Sequence, residues 1–241
     1  MQVSRDDTAD DTALDDPVGE SLRGRHAHLA RRLGGAATYL PDITTFASVA
    51  AEPTPAAWAD LTALLGHGEL ADMFSCPATP PDDWAPVFSL SGLQMIRPWD
   101  GGPSPKAAAA RALPAIVELG SEDVPQMLDL VARTEPGPFW LRTHELGTYL
   151  GVRENGRLVA MAGERLHPPG WTEISAVCTA AEARGQGHAA RLVHALIARI
   201  ESRDERPFLH VAEANTPAVA LYEGLGFVVR KPVTFRGFRT P

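Results

Sequence analysis

The alternation of apolar and polar positions divides the chain into a half with weak patterning and a half with strong patterning. In the first half, residues 56–65 ("AAWADLTALL") repeat apolar side chains at helical spacing, and Leu22, Leu29 and Leu33 suggest the apolar side of another short helix. Residues 87–96 ("VFSLSGLQMI") predict extended segments broken at Ser91-Gly92, after a proline-rich loop over residues 77–86. From Ile116 the signal sharpens. A short apolar run over residues 116–119 precedes a helix carrying Val124, Met127, Leu128 and Val131, with Ser121 placed to cap it and Glu122 at the positive end of its dipole. "TYLGVRENGRLVAMAGERL" predicts two strands joined at Glu154-Asn155-Gly156, because Asn-Gly accepts the positive φ of a tight hairpin. "WTEISAVCT" is a third strand. A helix then shows Leu192, Val193, Leu196, Ile197 and Ile200 on one stripe, "PFLHVA" returns to extended structure, and a short helix over roughly residues 217–225 follows. Thr216 is placed to cap that helix, Pro217 lies in its first turn and Gly226 at its end. "FVVRKPVTFRGF" closes the chain as a strand. The order β-α-β-β-β-α-β-α-β predicts a mixed α/β fold with a mostly antiparallel sheet, an antiparallel meander feeding one right-handed β-α-β crossover.

Composition changes this picture mainly at the N-terminus. The chain has 241 residues, 44% of them apolar and 22% charged, ordinary for a globular protein. Most of its net charge of −8 lies in residues 1–20, which hold seven acids against Arg5 alone. That stretch reads as an acidic, disordered tail with little to bury. Residues 21–97 then form an accessory region, in which a degenerate copy of the second half is one reading, and the Pro- and Gly-rich residues 98–114 form a linker to a domain over residues 115–241. No basic surplus points to nucleic acid, and the cluster Arg23, Arg25, Arg31, Arg32 reads as a solvated face. No run approaches the length of a membrane span, and the start is unlike a signal peptide. Two cysteines make no disulfide framework, which fits a reducing, cytoplasmic setting. The eight histidines show no metal-ligand spacing, so no metal is expected.

The candidate chemistry starts from "ARGQGHAA", residues 183–190. A helix opening at a glycine turn offers unpaired N–H groups and the positive end of its dipole to a phosphate. Gly185-x-Gly187-x-x-Ala190 also satisfies the dinucleotide fingerprint. That fold needs the glycines directly after the strand and parallel strands around them. Here residues 180–184 intervene, a hairpin precedes the loop, and about fifty residues remain after it, too few for a doubly wound sheet.

"RGQGHA" resembles the R/Q-x-x-G-x-G/A coenzyme A signature of the GNAT superfamily of N-acyltransferases, and "NTPAVALYEGLGF" resembles its second signature, in the family's order. The likeness covers residue 116 to the C-terminus. "GERLHPPGWTEISAVCT" with "PFLHVAEAN" further resembles the subgroup related to glycine N-acyltransferase C-terminal domains. Ala189 stands where glycine is frequent, and Gly224 replaces a usual long polar residue.

This resemblance implies an N-acetyltransferase that moves an acetyl group from acetyl-CoA directly to a primary amine of a small molecule or peptide, as a monomer or a homodimer. It implies that Val177, Cys178 and Thr179 pair through their backbone with the pantetheine arm, and that Arg184, Gly185, Gln186, Gly187, His188 and Ala189 form the pyrophosphate loop. Asn215 either bonds pantetheine or caps the following helix. Tyr222 would protonate the departing thiolate, since the high pKa of a phenol keeps its proton available at neutral pH. Glu173, or else Glu164, would take the proton of the amine, Glu173 sharing strand parity with Ser175 and Val177 and so facing the cleft. A water chain is the other route. Cys178 reads as a small apolar strand residue rather than a nucleophile, and His210 as a hydrogen-bonded core histidine. A domain that holds acyl-CoA without turnover is the competing class. The acceptor side would be built by the accessory region with residues 135–148 and the 166–171 turn, Pro138, Phe139 and Trp140 being candidate wall residues.

Overall fold

Local rules place the first elements of the computed structural model, which describes residues 11–98 and 115–241. Helix α1 (Pro17–Arg23) opens where Asp16 accepts the Gly19 N–H at 3.1 Å and Pro17 takes the first turn. Strands β1 (Ala30–Leu33), β2 (Ala36–Tyr39) and β3 (Ala47–Val49) form a three-stranded antiparallel sheet. Helix α2 (Pro55–Leu65), capped by Thr54, precedes β4 (Leu70–Asp72) and the long β5 (Ala85–Ile96).

Three expectations for this half change. Residues 1–10 of the expected acidic tail lie outside the described residues, but residues 11–20 are folded: Thr12–Asp15 is a 3-10 turn leading into α1. Leu14 and Val18 are fully buried there, and Arg230 pairs with both Asp11 and Asp15, so the acids are partnered and the segment does have apolar anchors. Of the leucines assigned to one helix, only Leu22 is helical, Leu29 ending a 3-10 turn and Leu33 lying on β1. Ser91-Gly92 does not interrupt β5, because Gly92 is paired on both sides, with Ala212 and with Val233. The expected linker, apart from Pro98, also lies outside the described residues.

The second half follows the predicted order. It runs β6 (Ile116–Leu119), α3 (Val124–Thr134), β7 (Tyr149–Glu154), β8 (Arg157–Glu164), β9 (Trp171–Thr179), α4 (His188–Glu201), β10 (Arg206–Ala212), α5 (Thr216–Gly224) and β11 (Val228–Arg239). Asn155 and Gly156 at φ 51 and 80 make the β7–β8 hairpin. Strands β6 to β9 are an antiparallel meander, and β9 and β10 are parallel across α4. One cap differs from expectation, and another falls on one of two expected residues. Asp123 accepts the Gly120 N–H at 2.9 Å in a 3-10 turn ahead of α3, where Ser121 was the candidate, and Asn215 rather than Thr216 caps α5, accepting from Ala218 at 3.3 Å.

The accessory region shares a sheet with the second half. The eight strands run β4-β11-β5-β10-β9-β8-β7-β6, so β5 is inserted between β10 and β11 and β4 lies at the edge. The region's own order, α-β-β-β-α-β-β, repeats the α-β-β-β-α-β run of the second half without that half's leading strand or the helix before its last strand, and a parallel bridge from Phe46 to Asp72 stands where β9 and β10 run parallel. Alternation along β10 separates two cores. Leu209 and Val211 pack with Leu192 and Leu196 of α4, while Phe208 packs with Leu14, Tyr39 and Phe46 from the first half. Helices α3, α4 and α5 pack in the first of these cores, and α1 with the three-stranded sheet in the second. No helix among the described residues is long and apolar enough to cross a membrane.

Candidate active site

The site begins where two parallel strands part. Strands β9 and β10 pair only from Arg206↔Trp171 to Phe208↔Glu173; beyond that, residues 174–179 and 209–212 diverge. A bulge reinforces the split. The β8–β9 register shifts between Met161 and Gly163, and Ala176 takes φ 52, rare for a residue with a side chain. A cavity of about 790 Å³ fills the gap. Val177, Cys178 and Thr179 line one side of it, and Val211 and Ala212 the other.

At the Thr179 end lies the glycine loop. Gly185 and Gly187 have φ 78 and 79, and a Cβ at either would meet nothing within 4 Å, so the backbone faces open space there. Gly187 caps α4 without any side-chain bond, which leaves the first N–H groups of the helix without an intrahelical partner. Gly185, Gly187, His188 and Ala189 line the cavity. Arg184 lines it too and donates to the Thr179 carbonyl at 3.2 Å, tying the loop to the end of β9. His188 takes part by its backbone, since its ring is buried 3.3 Å from Glu154. Gln186, expected in the loop's phosphate contact, is the loop member that does not line the cavity.

Further in, Asn215 lines the cavity while capping α5, which settles its side-chain oxygen on the Ala218 N–H. Tyr222, 8% exposed, projects from α5 into the same space. Burial, helped by the nearby Cys178, pushes its phenol up to about 12, so it is a proton donor at neutral pH. Burial likewise pushes the Cys178 thiol up to about 11, leaving it protonated and a poor nucleophile.

Glu173 is not where strand parity placed it. Fully buried, it lies behind the wall instead of on it, and Arg165 holds both its oxygens at 2.8 and 2.6 Å. Burial alone would raise its pKa, but the Arg165 guanidinium and the His210 hydrogen bond hold it at about 2. A carboxylate this acidic, off the cavity lining and already accepting three hydrogen bonds, is a poor base for an ammonium ion. Glu164 is also buried and off the cavity, accepting from Arg203 at 2.8 Å and from the Thr148 N–H at 3.2 Å.

Both nitrogens of His210 are engaged as well. Gln94 donates to the Leu14 carbonyl at 2.8 Å and accepts from Arg230 at 2.9 Å, which fixes its amide orientation. It therefore donates to His210 Nε2 at 3.1 Å, and His210 Nδ1–H donates to Glu173 at 2.7 Å. Among the described residues, Glu135 is the one carboxylate on the cavity lining, at its exposed mouth.

The end opposite the glycine loop holds residues that patterning did not flag: Phe74, Leu90, Arg165 and Phe235. Of the candidate wall residues Pro138 lines the cavity, whereas Phe139 packs edge-on against Tyr149 and Trp140 lies off the lining. Leu166 and Trp171 are buried in the core of the N-terminal face, so the 166–171 turn is not acceptor wall.

Comparison with known proteins agrees with this geometry. The model of the FR47-like protein family matches residues 149–235, which span the hairpin, the split strands and both motifs. A solved GNAT-family protein from Novosphingobium aromaticivorans, assigned as an acetyltransferase, is 37% identical, covers 95% of this chain and 99% of its own, and superposes with a TM-score of 0.79. A GCN5-related N-acetyltransferase from Kribbella flavida shares the fold at 14% identity, with a TM-score of 0.65 and coverage of 94% and 96%. Mycothiol acetyltransferase of Pseudarthrobacter chlorophenolicus is 28% identical over 175 residues, 70% of this chain. The chain spans about half the length of such curated relatives, 53% of that one.

Proposed function

The chain belongs to the GNAT family of acetyltransferases, and from that premise we propose that it transfers an acetyl group from acetyl-CoA directly to a primary amine of a small molecule or peptide. One observation carries this reading. The strand split, the uncapped N-terminus of α4 and the Tyr222 phenol open into one cavity. Pyrophosphate fits the loop by charge and by the space over Gly185 and Gly187. The pantetheine arm fits between β9 and β10 as an added strand.

In the reaction an ammonium ion first loses a proton to cavity water, because Glu173 is off the lining and held too acidic and both ring nitrogens of His210 are engaged. The amine nitrogen then attacks the thioester carbon. As the intermediate collapses, the C–S bond breaks and the new amide keeps the acetyl group. Tyr222 protonates the leaving thiolate and recovers a proton from the attacking nitrogen. Glu173 acts as a positioning residue that holds Arg165 and His210 in the wall.

We also keep the subgroup related to glycine N-acyltransferase C-terminal domains as part of this proposal, supported by residues 163–179 and 207–215. A cytoplasmic setting is supported by two free, buried cysteines. Thiol release from acetyl-CoA across an amine panel tests the reading. Turnover with at least one amine is the expected result. Thermal stabilisation by coenzyme A with no turnover on any amine would instead mark a binding module, and stabilisation by NADH but not by coenzyme A would overturn the cradle assignment.

A further inference from the structure

The acceptor end of the cavity is aromatic and carries no uncompensated charge. Phe46, Phe74 and Phe235 form a continuous stack, with centroids 4.5 and 4.8 Å apart and interplanar angles of 17° and 4°. Of the three rings, Phe74 and the half-buried Phe235 line the cavity. Gly92 makes this possible. A Cβ there would sit 2.4 Å from the Phe235 ring, so the ring lies across the bare backbone of β5. Leu90, directly opposite Phe235 in the β5–β11 register, continues the apolar surface outward.

The charges nearby cancel. Arg165 lies 4.5 Å over Phe74, and its charge is matched by the Glu173 carboxylate. His210 packs edge-on against Phe74 and Phe235 with both nitrogens bonded, and burial, against the pull of Glu173, holds its pKa low enough to keep it neutral. Among the described residues, a polycation would find only the lining carboxylate of Glu135, at the mouth, to pair with its additional charges. A substrate carboxylate would leave one excess negative charge beside Glu173 in a buried place. A flat apolar group, by contrast, gains stacking and burial, and an ammonium group arriving over the rings is attracted by their faces.

We propose that the acceptor is an arylalkylamine, a primary amine on a short chain ending in an aromatic ring and lacking a carboxylate, with its ring extending the Phe46–Phe74–Phe235 stack. This rests on the reading of the chain as an N-acetyltransferase. The N-terminal region, which supplies Phe46, Phe74 and Leu90, is then the specificity element of the enzyme.

The test is thiol release from acetyl-CoA with 2-phenylethylamine, tryptamine, phenylalanine, pentylamine and spermidine. We expect kcat/KM for the two arylalkylamines to exceed that for each of the other three by tenfold or more. Phe235→Leu should raise KM for 2-phenylethylamine about tenfold while KM for acetyl-CoA stays within twofold, and Phe235→Trp, which keeps a flat face, should restore it. Preference for spermidine, pentylamine or phenylalanine, or an unchanged KM in a folded Phe235→Leu, overturns the inference and leaves the acetyltransferase reading standing. No turnover with any amine and no stabilisation by coenzyme A overturns both.

Discussion

The two ends of the cavity are built from different materials. At the α4 end, the groups offered to a ligand are backbone: open N–H groups over glycines at φ 78 and 79, and the parted edges of β9 and β10. At the opposite end they are side chains, Phe74, Phe235, Arg165 and His210, brought together from β10, β11 and two loop positions. A backbone site depends on chain direction and on where glycine is allowed, and it tolerates exchange of most side chains around it. A side-chain site is specified by residues far apart in sequence, and each is locked by the others. This difference explains why one cofactor cradle can be paired with a wall that selects one acceptor.

The largest expected effect breaks the lock at the side-chain end. Glu173→Gln leaves the Arg165 guanidinium buried without its counter-charge and turns one of the two oxygens shared by Arg165 and His210 into a donor. Such a cut through a buried ion pair costs about 3–5 kcal/mol. A urea titration should show the midpoint falling accordingly, and Arg165→Met in the same chain should return a good part of the loss. If Glu173→Gln unfolds at the wild-type midpoint, the acceptor wall is not interlocked as described.

Acid should find the same half of the molecule first. His26 and His167 both donate to the Leu146 carbonyl at 3.0 Å and are buried. Burial holds them at about 4 and about 3, against 6.5 for a free histidine. Their folded pKa values are depressed, so the unfolded chain binds protons first as pH falls. Stability is therefore full above pH 6.5 and declines from there toward pH 4, by roughly 3 kcal/mol for His26 alone. Glu173, held at about 2, adds a second decline below pH 4.5. Urea midpoints measured from pH 7.5 to 4 should fall, and His26→Gln should flatten part of the slope. A flat profile would mean that the histidines are not buried neutral.

How legible each end was in the sequence follows from the same difference. The element order of the second half, the Asn-Gly hairpin and the placement of Gly185, Gly187 and Tyr222 all rest on local pattern, and the fold agrees with them. Glu173 shows where local pattern stops. The bulge at Ala176 breaks the alternation between Glu173 and Val177, the face that Glu173 does occupy is filled by Arg165 and His210 rather than open to the cleft, and no spacing rule reports either. Phe74 lies in a short loop after β4, and Phe235 lies on a strand with no partner evident from the sequence. Their stack exists only because β5 inserts between β10 and β11, a long-range choice. Residues 11–20 were misjudged for a related reason: Leu14 and Val18 are two apolar residues among acids, and the acids find partners in Arg230 and Lys231, more than 200 positions away.

At the boundary between the two ends, Tyr222→Phe removes only the phenol oxygen. If Tyr222 protonates the leaving thiolate, turnover falls well over tenfold while coenzyme A affinity is unchanged, because the ring still packs on Phe227. A parallel loss in coenzyme A affinity would make Tyr222 a binding residue of the cradle instead.

The smallest effect belongs to the backbone end and needs an internal control. Gly187→Ala puts a methyl group at φ 79 into space that meets no protein atom within 4 Å. Its folding cost is therefore conformational alone, about 1 kcal/mol. Gly68 has φ 72 and equally open surroundings but lies away from the cavity. Gly68→Ala should thus carry the same folding cost. Only Gly187→Ala should also weaken coenzyme A, about fivefold by calorimetry, because its methyl group intrudes where a phosphate approaches the α4 N–H groups. Equal coenzyme A affinity in the two variants would show that the loop is a glycine turn with no role in the cradle.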